Sequence, residues 1–219
     1  MKKCILTVFL FQLLFLGFAG NGTTPTKKYD SEWKTIIDSG FLHLVTDALE
    51  LVKETNSSLG SLLSFAGQMQ GTSYTDSTGN LPAKSFNAIM ADSITKLING
   101  KRLPLEPAEL LSYKRVKSIQ CNTFGWGFNE YSYMPCKVRY KNGKLFYEKT
   151  AGSQRKSGYL YRRDDYSYVF LGGWSVNEDP QTTYESSHRI EGILYKVAPG
   201  TIYLFFVGDH EYEIHCLKK

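Results

Sequence analysis

Residues 149–161, KTAGSQRKSGYLY, contain the side chains whose types and spacing best fit a binding site. Arg155 presents five N–H donors in a planar fork, and the neighbouring Gln154 can both donate and accept, so that together they fit a carboxylate or a phosphate. Ser153 adds a hydroxyl group, and Tyr161 adds an aromatic ring a few residues later. Ser153, Gln154, Arg155 and Tyr161 are therefore the candidate binding residues.

The same stretch also has a purely structural interpretation. One strand pattern ends near Thr150 and the next begins near Ser157, which predicts a hairpin loop between them. Gly152 and Gly158 supply the backbone freedom that such a connection needs. In this interpretation the amide and guanidinium groups bond to backbone carbonyls and tie the loop to the rim of the sheet. The structural and the binding roles both stay open.

Established catalytic and metal-binding motifs are missing from the sequence. It contains no Walker A motif, no Gly-x-Ser-x-Gly, no His-Glu-x-x-His and no Cys-x-x-Cys. Near the end of the chain, Glu211, Glu213 and His215 share one face of a predicted strand, which fits either a zinc site or an exposed polar face. No other set of residues suggests a metal. We therefore predict no catalytic residues, no metal and no cofactor, and the sequence favours binding over catalysis.

The elements that must position these residues change character along the chain. Residues 29–108 show helical periodicity, strongest in 81–101, where Pro82 suits the first turn and Gly100 the position after the last. An earlier helix is predicted over 32–54, interrupted or bent at Ser39-Gly40, and the polar residues 67–80 read as a loop.

From Lys114 onward the period becomes two, which predicts an antiparallel β-meander. The connections carry turn chemistry, most clearly Asn142-Gly143. Closing the meander into a barrel would remove its exposed edges, so an α+β fold with a small barrel is expected, and a β-sandwich is the alternative. The barrel interior is either packed or holds one small molecule. Eight strands are predicted, over residues 114–120, 133–140, 144–150, 157–163, 166–173, 188–197, 201–207 and 210–218.

The start of the chain has the pattern of a removable secretory signal. Lys2 and Lys3 precede an apolar run, and Gly17-Phe18-Ala19 provides small residues for cleavage. Residues 1–19 are therefore predicted to be a signal peptide, residues 20–108 a helical region and 109–219 the barrel-like region of the same globular unit. The mature protein would be periplasmic or secreted, without stable membrane insertion. Its small positive excess, scattered along the chain, does not indicate nucleic-acid binding.

Three cysteines would remain in an oxidising compartment, where a pair is expected. Cys121 and Cys136 flank a segment that can double back, so they are the predicted disulfide, with three unpaired thiols as the alternative. Cys216 alternates with Tyr212 and Ile214 on one strand face and is predicted to be a core residue.

With these residues in view, the chain resembles a family of exported bacterial proteins catalogued as domain of unknown function 4893. The resemblance also covers residues 113–119 and 135–140, where Cys136 matches a family cysteine whose partner lies earlier than Cys121. The family name implies no activity. The residues that carry the resemblance are Lys149, Gly152, Ser153, Gln154, Arg155, Ser157, Gly158, Tyr161, Phe170, Leu171 and Gly172.

Three functions of different classes follow from the sequence. The preferred one is a non-catalytic binding module for a small molecule or peptide, with Gln154 and Arg155 at the mouth of the barrel. The first alternative is an envelope protein that acts as an interaction partner or inhibitor through its surface. The second is a hydrolase without a recognisable motif.

Overall fold

The computed structural model describes residues 29–69, 86–122, 127–208 and 211–219. The predicted signal peptide (residues 1–19), Pro82 and the predicted loop from residue 70 onward lie outside these ranges.

Short helices precede and follow one long helix in the first half of the chain. The predicted interruption at Ser39-Gly40 is confirmed: a 3₁₀ turn lies there, because the Asp38 carboxylate accepts from the Gly40 N–H at 3.0 Å and ends the helical ladder. None of the described helices is long and apolar enough to span a membrane. The helices are α1 (Trp33–Ile36), α2 (His43–Thr46), α3 (Ala48–Met69), α4 (Phe86–Ile98) and α5 (Pro107–Leu110).

In the described part of the chain nine antiparallel strands follow, and eight of them close into a barrel. Each pairs with its neighbour in the order β1-β3-β4-β5-β6-β7-β8-β9, and β9 pairs again with β1 over eight residues. β2 adds a short partner to the second half of β1. The strands are β1 (Arg115–Asn122), β2 (Gly127–Glu130), β3 (Met134–Lys141), β4 (Lys144–Lys149), β5 (Gln154–Arg162), β6 (Ser167–Val176), β7 (Arg189–Ala198), β8 (Thr201–Val207) and β9 (Glu211–Lys218).

The closed barrel confirms the predicted fold class and excludes the sandwich, and all eight predicted strands are present. Two details of the prediction are wrong. The sequence did not indicate β2, and β5 begins at Gln154 rather than near Ser157. The connection between β4 and β5 is therefore only residues 150–153, and Gln154 and Arg155 belong to a strand because they pair with Val176 and Ser175 of β6.

Alternation along the strands gives the barrel two apolar surfaces. On the outside, helices α2, α3 and α4 cover side chains of β1, β2 and β5–β9, forming what we call the outer core. Inside, what we call the inner core fills one end of the barrel, where α5 and its flanking residues close it. The largest fully buried side chains of the inner core are Leu105, Leu110, Tyr113, Tyr147, Tyr168, Phe170, Leu194, Ile202 and Leu204.

The cysteines correct the predicted disulfide. Cys121 and Cys136 are both free and buried. Cys121 points outward into the outer core, whereas Cys136 points inward into the inner core, so the wall of the barrel separates the two thiols. The prediction failed because the strand direction of each cysteine, and not the length of chain between them, decides whether two sulfur atoms meet. Cys216 is buried as predicted.

Candidate functional site

The four predicted binding residues lie on different sides of the barrel wall. On β5, Gln154 and Lys156 alternate with Arg155 and therefore face the opposite side of the sheet. Gln154 lines a pocket at the barrel end, whereas the Arg155 guanidinium donates to the carbonyl of Asp179 at 2.6 Å. Ser153 precedes the strand, and its carbonyl accepts from a backbone N–H at 2.7 Å.

Tyr161 lies in the outer core and is 6% exposed, far along β5 from the pocket-lining Gln154. The structure thus brings only Gln154 of the four to the pocket. Binding roles for Ser153, Gln154, Arg155 and Tyr161 stay predictions.

The end of the barrel opposite α5 has a polar interior, which we call the polar end. Its inward-facing side chains come from two strand pairs, β1 with β9 and β4 with β5. The alternation that buries Val116 and Leu217 at one end brings polar residues inside at the other. The polar end consists of Ser118, Gln120, Lys149, Gln154, Lys156, Glu213 and His215.

Aromatic rings of the inner core meet the polar end at His215. Phe206 packs edge-on against Phe170 at 5.3 Å between ring centroids and against His215 at 4.9 Å. Tyr147 contacts Phe170 and His215 at 6.1 and 5.9 Å. Tyr147, Phe170 and Phe206 therefore form the floor beneath the polar end.

A pocket of about 550 Å³ opens at this end of the barrel. This volume lies within the range of small-molecule sites. Its walls combine four amide side chains, three aromatic residues and charged side chains of both signs, so that one region offers both polar and apolar contacts. The lining includes Gln120, Gln154, Lys156, Trp174, Ile190, Phe206 and Glu213.

A chain of hydrogen bonds runs from the pocket into the barrel. Lys156 donates to one carboxylate oxygen of Glu213, and the other oxygen lies 2.7 Å from Nε2 of His215. Nδ1 of His215 lies 2.7 Å from the hydroxyl of Tyr147. His215 is fully buried, and both of its ring nitrogens are used.

Burial and these contacts set the protonation states. Burial lowers the pKa of His215 to about 4, against the opposing influence of Glu213, so the imidazole is neutral at pH 7. Burial alone would raise the pKa of Glu213, but its contacts with His215 and Lys156 outweigh burial and hold that pKa below its usual value. The polar end therefore contains one carboxylate and two lysines.

Lys149 has no such partner. Its side chain is buried, at 7% exposure for the residue, and its ammonium donates to the Ser118 hydroxyl at 3.3 Å. In the described part of the chain no carboxylate lies within ion-pairing distance of that ammonium. Burial and the nearby Lys156 charge lower the pKa of Lys149, while Glu213 opposes them.

At the polar end, side chains of β1 and β5 contact each other where the backbone pairing of β4 with β5 has ended. β4 pairs with β5 only up to Glu148 and Ser157, whereas β5 continues back to Gln154. Across this gap Gln120 donates to Gln154 at 2.9 Å. Gln120 also accepts from the Tyr131 hydroxyl at 3.1 Å. Two amides therefore border the pocket beside the buried lysine pair.

The strand face considered for zinc is part of this polar end. Glu213 and His215 point into the barrel, so the face is not an exposed one, and Glu211 lies at the rim, where Asn122 donates to it at 3.3 Å. Among the described residues, no group of three or more His, Cys, Asp or Glu side chains is placed to hold a metal ion.

Sequence reasoning singled out Gln154 but missed Ser118, Gln120 and Lys156 as neighbours of it. A signal for them exists: on β1, β5 and β9 the apolar side of the alternation becomes polar toward one end of each strand. That change predicts a polar cavity only once the strand register is known, because register decides whether the polar ends meet.

Comparison with known proteins gives a family but no activity. A family model described as Domain of unknown function (DUF4893) matches residues 82–205, which contain α4, α5, β1–β7 and most of β8. No curated protein and no solved structure matches the chain.

Proposed function

Since the chain belongs to the DUF4893 family, whose description carries no activity, we propose from the site itself that the protein is a non-catalytic binding module for a small molecule. The observation that carries the proposal is the open pocket of about 550 Å³ over the polar end of the barrel.

The pocket also supports binding by its mixed lining. Trp174 and Phe206 offer apolar contact, while Gln120 and Gln154 offer amide groups that fix orientation. Small-molecule sites commonly have this composition of apolar walls with a few convergent polar groups. A surface-acting inhibitor, the first alternative, would not need a polar cavity inside its barrel.

Catalysis has less support. Glu213 and His215 form a titratable pair at the pocket, as a hydrolase would require. However, His215 is fully buried and both ring nitrogens already have partners, so neither nitrogen is free to take a proton from a substrate. Tyr147, beyond it, is also buried, and burial raises its pKa well above the usual value.

Export is part of the proposal and rests on residues 1–19 alone. A protein isolated from its own compartment would then begin at Gly20, which sequencing of its first residues would check. A chain still beginning at Met1 would contradict export with cleavage.

Native mass spectrometry of protein purified gently from its own compartment tests the binding function. We expect an added mass that disappears on denaturation. Gln154→Trp should abolish the added mass because the larger side chain fills the mouth of the pocket, whereas Gln181→Trp, the same change on an exposed connection, should not. A bare mass, together with no binder in a broad small-molecule screen, would contradict the proposal.

A further inference from the structure

Another cavity, of about 410 Å³, lies on the outside of the barrel and far from the polar end. Its walls come from the residues that follow α4, from the turn between β5 and β6, and from the last part of β7. Because β5 starts at the polar end and runs away from it, the turn after β5 lies at the opposite end. We call this cavity the arginine pocket; its charged and aromatic lining residues are Lys101, Arg102, Arg163, Asp164, Tyr166 and Tyr195.

One buried tyrosine positions two arginines at the arginine pocket. Tyr195 is 4% exposed, and the guanidinium carbon of Arg102 lies 4.3 Å from the centroid of its ring. Arg163 donates to the Tyr195 hydroxyl at 3.1 Å, and its guanidinium carbon lies 5.8 Å from the same ring. A cation is attracted to an aromatic ring, so both guanidinium groups are in place before a ligand arrives.

The charges of the arginine pocket do not cancel. Arg163 donates to the carboxylate of Asp164 at 3.1 Å, and Asp164 is the only acidic residue of the lining. Burial alone would raise the pKa of Asp164, but hydrogen bonds with Ser167 and Tyr166 and the charge of Arg163 outweigh burial and lower that pKa. The carboxylate is therefore ionised at pH 7 and balances one of the three cations.

The other two cations, Lys101 and Arg102, are exposed. In the part of the chain that the structure describes, neither has a carboxylate within ion-pairing distance, because nearby Asp165 pairs with Arg162 at 3.2 Å and Glu109 with Lys196 at 2.7 Å. The lining of the arginine pocket thus carries two positive charges in excess.

We propose that the arginine pocket is a second binding site, separate from the pocket over the polar end, and that it takes a phosphate monoester. A phosphate monoester carries about two negative charges at pH 7 and balances the excess, whereas a single carboxylate or a sulfate ester would leave one positive charge over. Guanidinium groups also fit phosphate oxygens, to which they can donate two parallel hydrogen bonds.

The two tyrosines of the lining fit the same ligand. The Tyr195 hydroxyl accepts from Arg163, which leaves its own hydrogen to donate to a phosphate oxygen. Tyr166 is 46% exposed and offers an aromatic ring to the organic part of the ester.

Calorimetry with phenyl phosphate and phenyl sulfate at pH 8 tests how many charges the site recognises. Both molecules have a phenyl ring and a tetrahedral anion, but they carry about two negative charges and one. We expect phenyl phosphate to bind at least about tenfold more tightly, as for an additional charge-assisted hydrogen bond. Equal affinities, or binding of neither, overturn the proposal.

A pair of arginine variants locates the site. Arg102→Gln should weaken binding of phenyl phosphate about tenfold or more. Arg115→Gln is the matched control, because Arg115 is also exposed and lies 5.5 Å from the ring of Tyr133, but does not line the arginine pocket. It should leave the affinity unchanged. An equal loss in both variants would show only an effect of net charge and overturns the proposal.

Gln154→Trp separates this site from the proposed function, since it fills the pocket over the polar end. Phenyl phosphate should bind that variant as it binds the wild type. If Gln154→Trp abolishes the binding and Arg102→Gln does not, the phosphate occupies the other pocket, so the arginine pocket is wrong while the binding function stands.

Phosphate monoesters occur both as free small molecules and as lipid headgroups. Flotation with phosphatidylcholine vesicles, with and without phosphatidic acid, distinguishes these sources. Binding only to vesicles that contain phosphatidic acid, lost in Arg102→Gln and kept in Arg115→Gln, assigns a lipid headgroup. Binding of phenyl phosphate without binding to either vesicle assigns a free ester.

Discussion

Lys149 has an ammonium that is buried against one hydroxyl, and its removal should stabilise the unliganded protein. Lys149→Met keeps the length of the side chain and removes the cost of burying its charge, so we expect the free energy of unfolding to rise by about 1–3 kcal/mol. Lys137→Met, on the exposed outer face of β3, should change it by less than about 0.5 kcal/mol. Urea unfolding measures both, and a loss of stability in Lys149→Met would show that the lysine has a structural role.

His215 should make stability depend on pH. Its pKa in the folded protein, about 4, lies below its ordinary value of 6.5, so the unfolded chain takes up a proton first as the pH falls. Stability from this group is complete above pH 6.5 and is lost toward pH 4, with a slope of at most about 1.4 kcal/mol per pH unit. Glu213 adds to the loss below about its ordinary pKa of 4.5, because its own pKa is lowered by folding.

The His215→Gln variant isolates this contribution. Tyr147, Lys149, Lys156 and Glu213 face the imidazole; burial raises the pKa of Tyr147 well above its usual value, and contacts with His215 and Lys156 hold the pKa of Glu213 below its own. The slope of unfolding free energy against pH should therefore flatten in His215→Gln and stay as in the wild type in His43→Gln, where the histidine is exposed. An identical slope in all three proteins would mean that folding does not shift the pKa of His215.

At the scale of the strands, two glycines allow β5 and β6 to carry the floor of the pocket. Gly158 and Gly172 lie opposite each other, and the Phe170 ring covers both. A Cβ atom on Gly158 would be 2.4 Å from the Leu171 carbonyl oxygen and 2.7 Å from Cζ of Phe170. There is no room for a methyl group because the nearest atom belongs to the backbone.

Gly158→Ala is accordingly expected to destabilise the protein by about 1–3 kcal/mol or more, as overpacking does. Gly208→Ala is the matched control, because its new methyl group would meet only the Glu211 side chain and backbone at 3.5 Å and beyond. Thermal unfolding compares the two. Equal melting temperatures would contradict the close approach of β5 and β6.

Arg155 contributes to stability through the connection between β6 and β7. Its guanidinium donates to the Asp179 carbonyl from the side of the sheet away from the pocket. Arg155→Ala should lower the free energy of unfolding by about 1–2 kcal/mol and leave the bound mass seen by native mass spectrometry unchanged. Loss of that mass at unchanged stability would instead return Arg155 to the binding site.

The sequence could predict which strands exist better than where they start and which face is inside. Tight turns such as Asn142-Gly143 and two-residue alternation were enough for eight strands. The start of β5 was missed because Gly152, with φ near +91°, makes the turn earlier than the second glycine does. Short β2 has only four residues and follows no turn signal.

Prediction of the site from sequence was limited because the sequence does not show which face of each strand is inside. The polar residues of β9 fitted either a zinc site or an exposed face. His215 is nevertheless fully buried, because pairing of β9 with both β1 and β8 closes the barrel around its inward-facing side chains. Barrel closure, which joins residues about a hundred positions apart, decides this, and no local pattern encodes it. The predicted disulfide failed for the same reason.

For the whole molecule, one buried amide joins the helices to the barrel. Asn56 of α3 accepts from the Tyr212 hydroxyl of β9, and its own NH₂ group lies 3.3 Å from the Ala91 carbonyl and from the Thr95 hydroxyl of α4. Both Asn56 and Tyr212 are buried, at 6% and 2% exposure. This contact couples packing of the helices to the outer face of the barrel, as expected if residues 20–108 and 109–219 form one globular unit.

Asn56→Ala should therefore cost about 1–3 kcal/mol, because the buried Tyr212 hydroxyl loses its partner. The exposed Asn99→Ala, one residue beyond the end of α4, should cost much less. If helices and barrel unfold as one unit, circular dichroism of the helices and fluorescence of a Trp174-only protein (Trp33→Phe, Trp126→Phe) will give one midpoint in both variants. A helical transition that precedes loss of the Trp174 signal would contradict a single unit. The helical layer would then open while the barrel and its pocket stay folded.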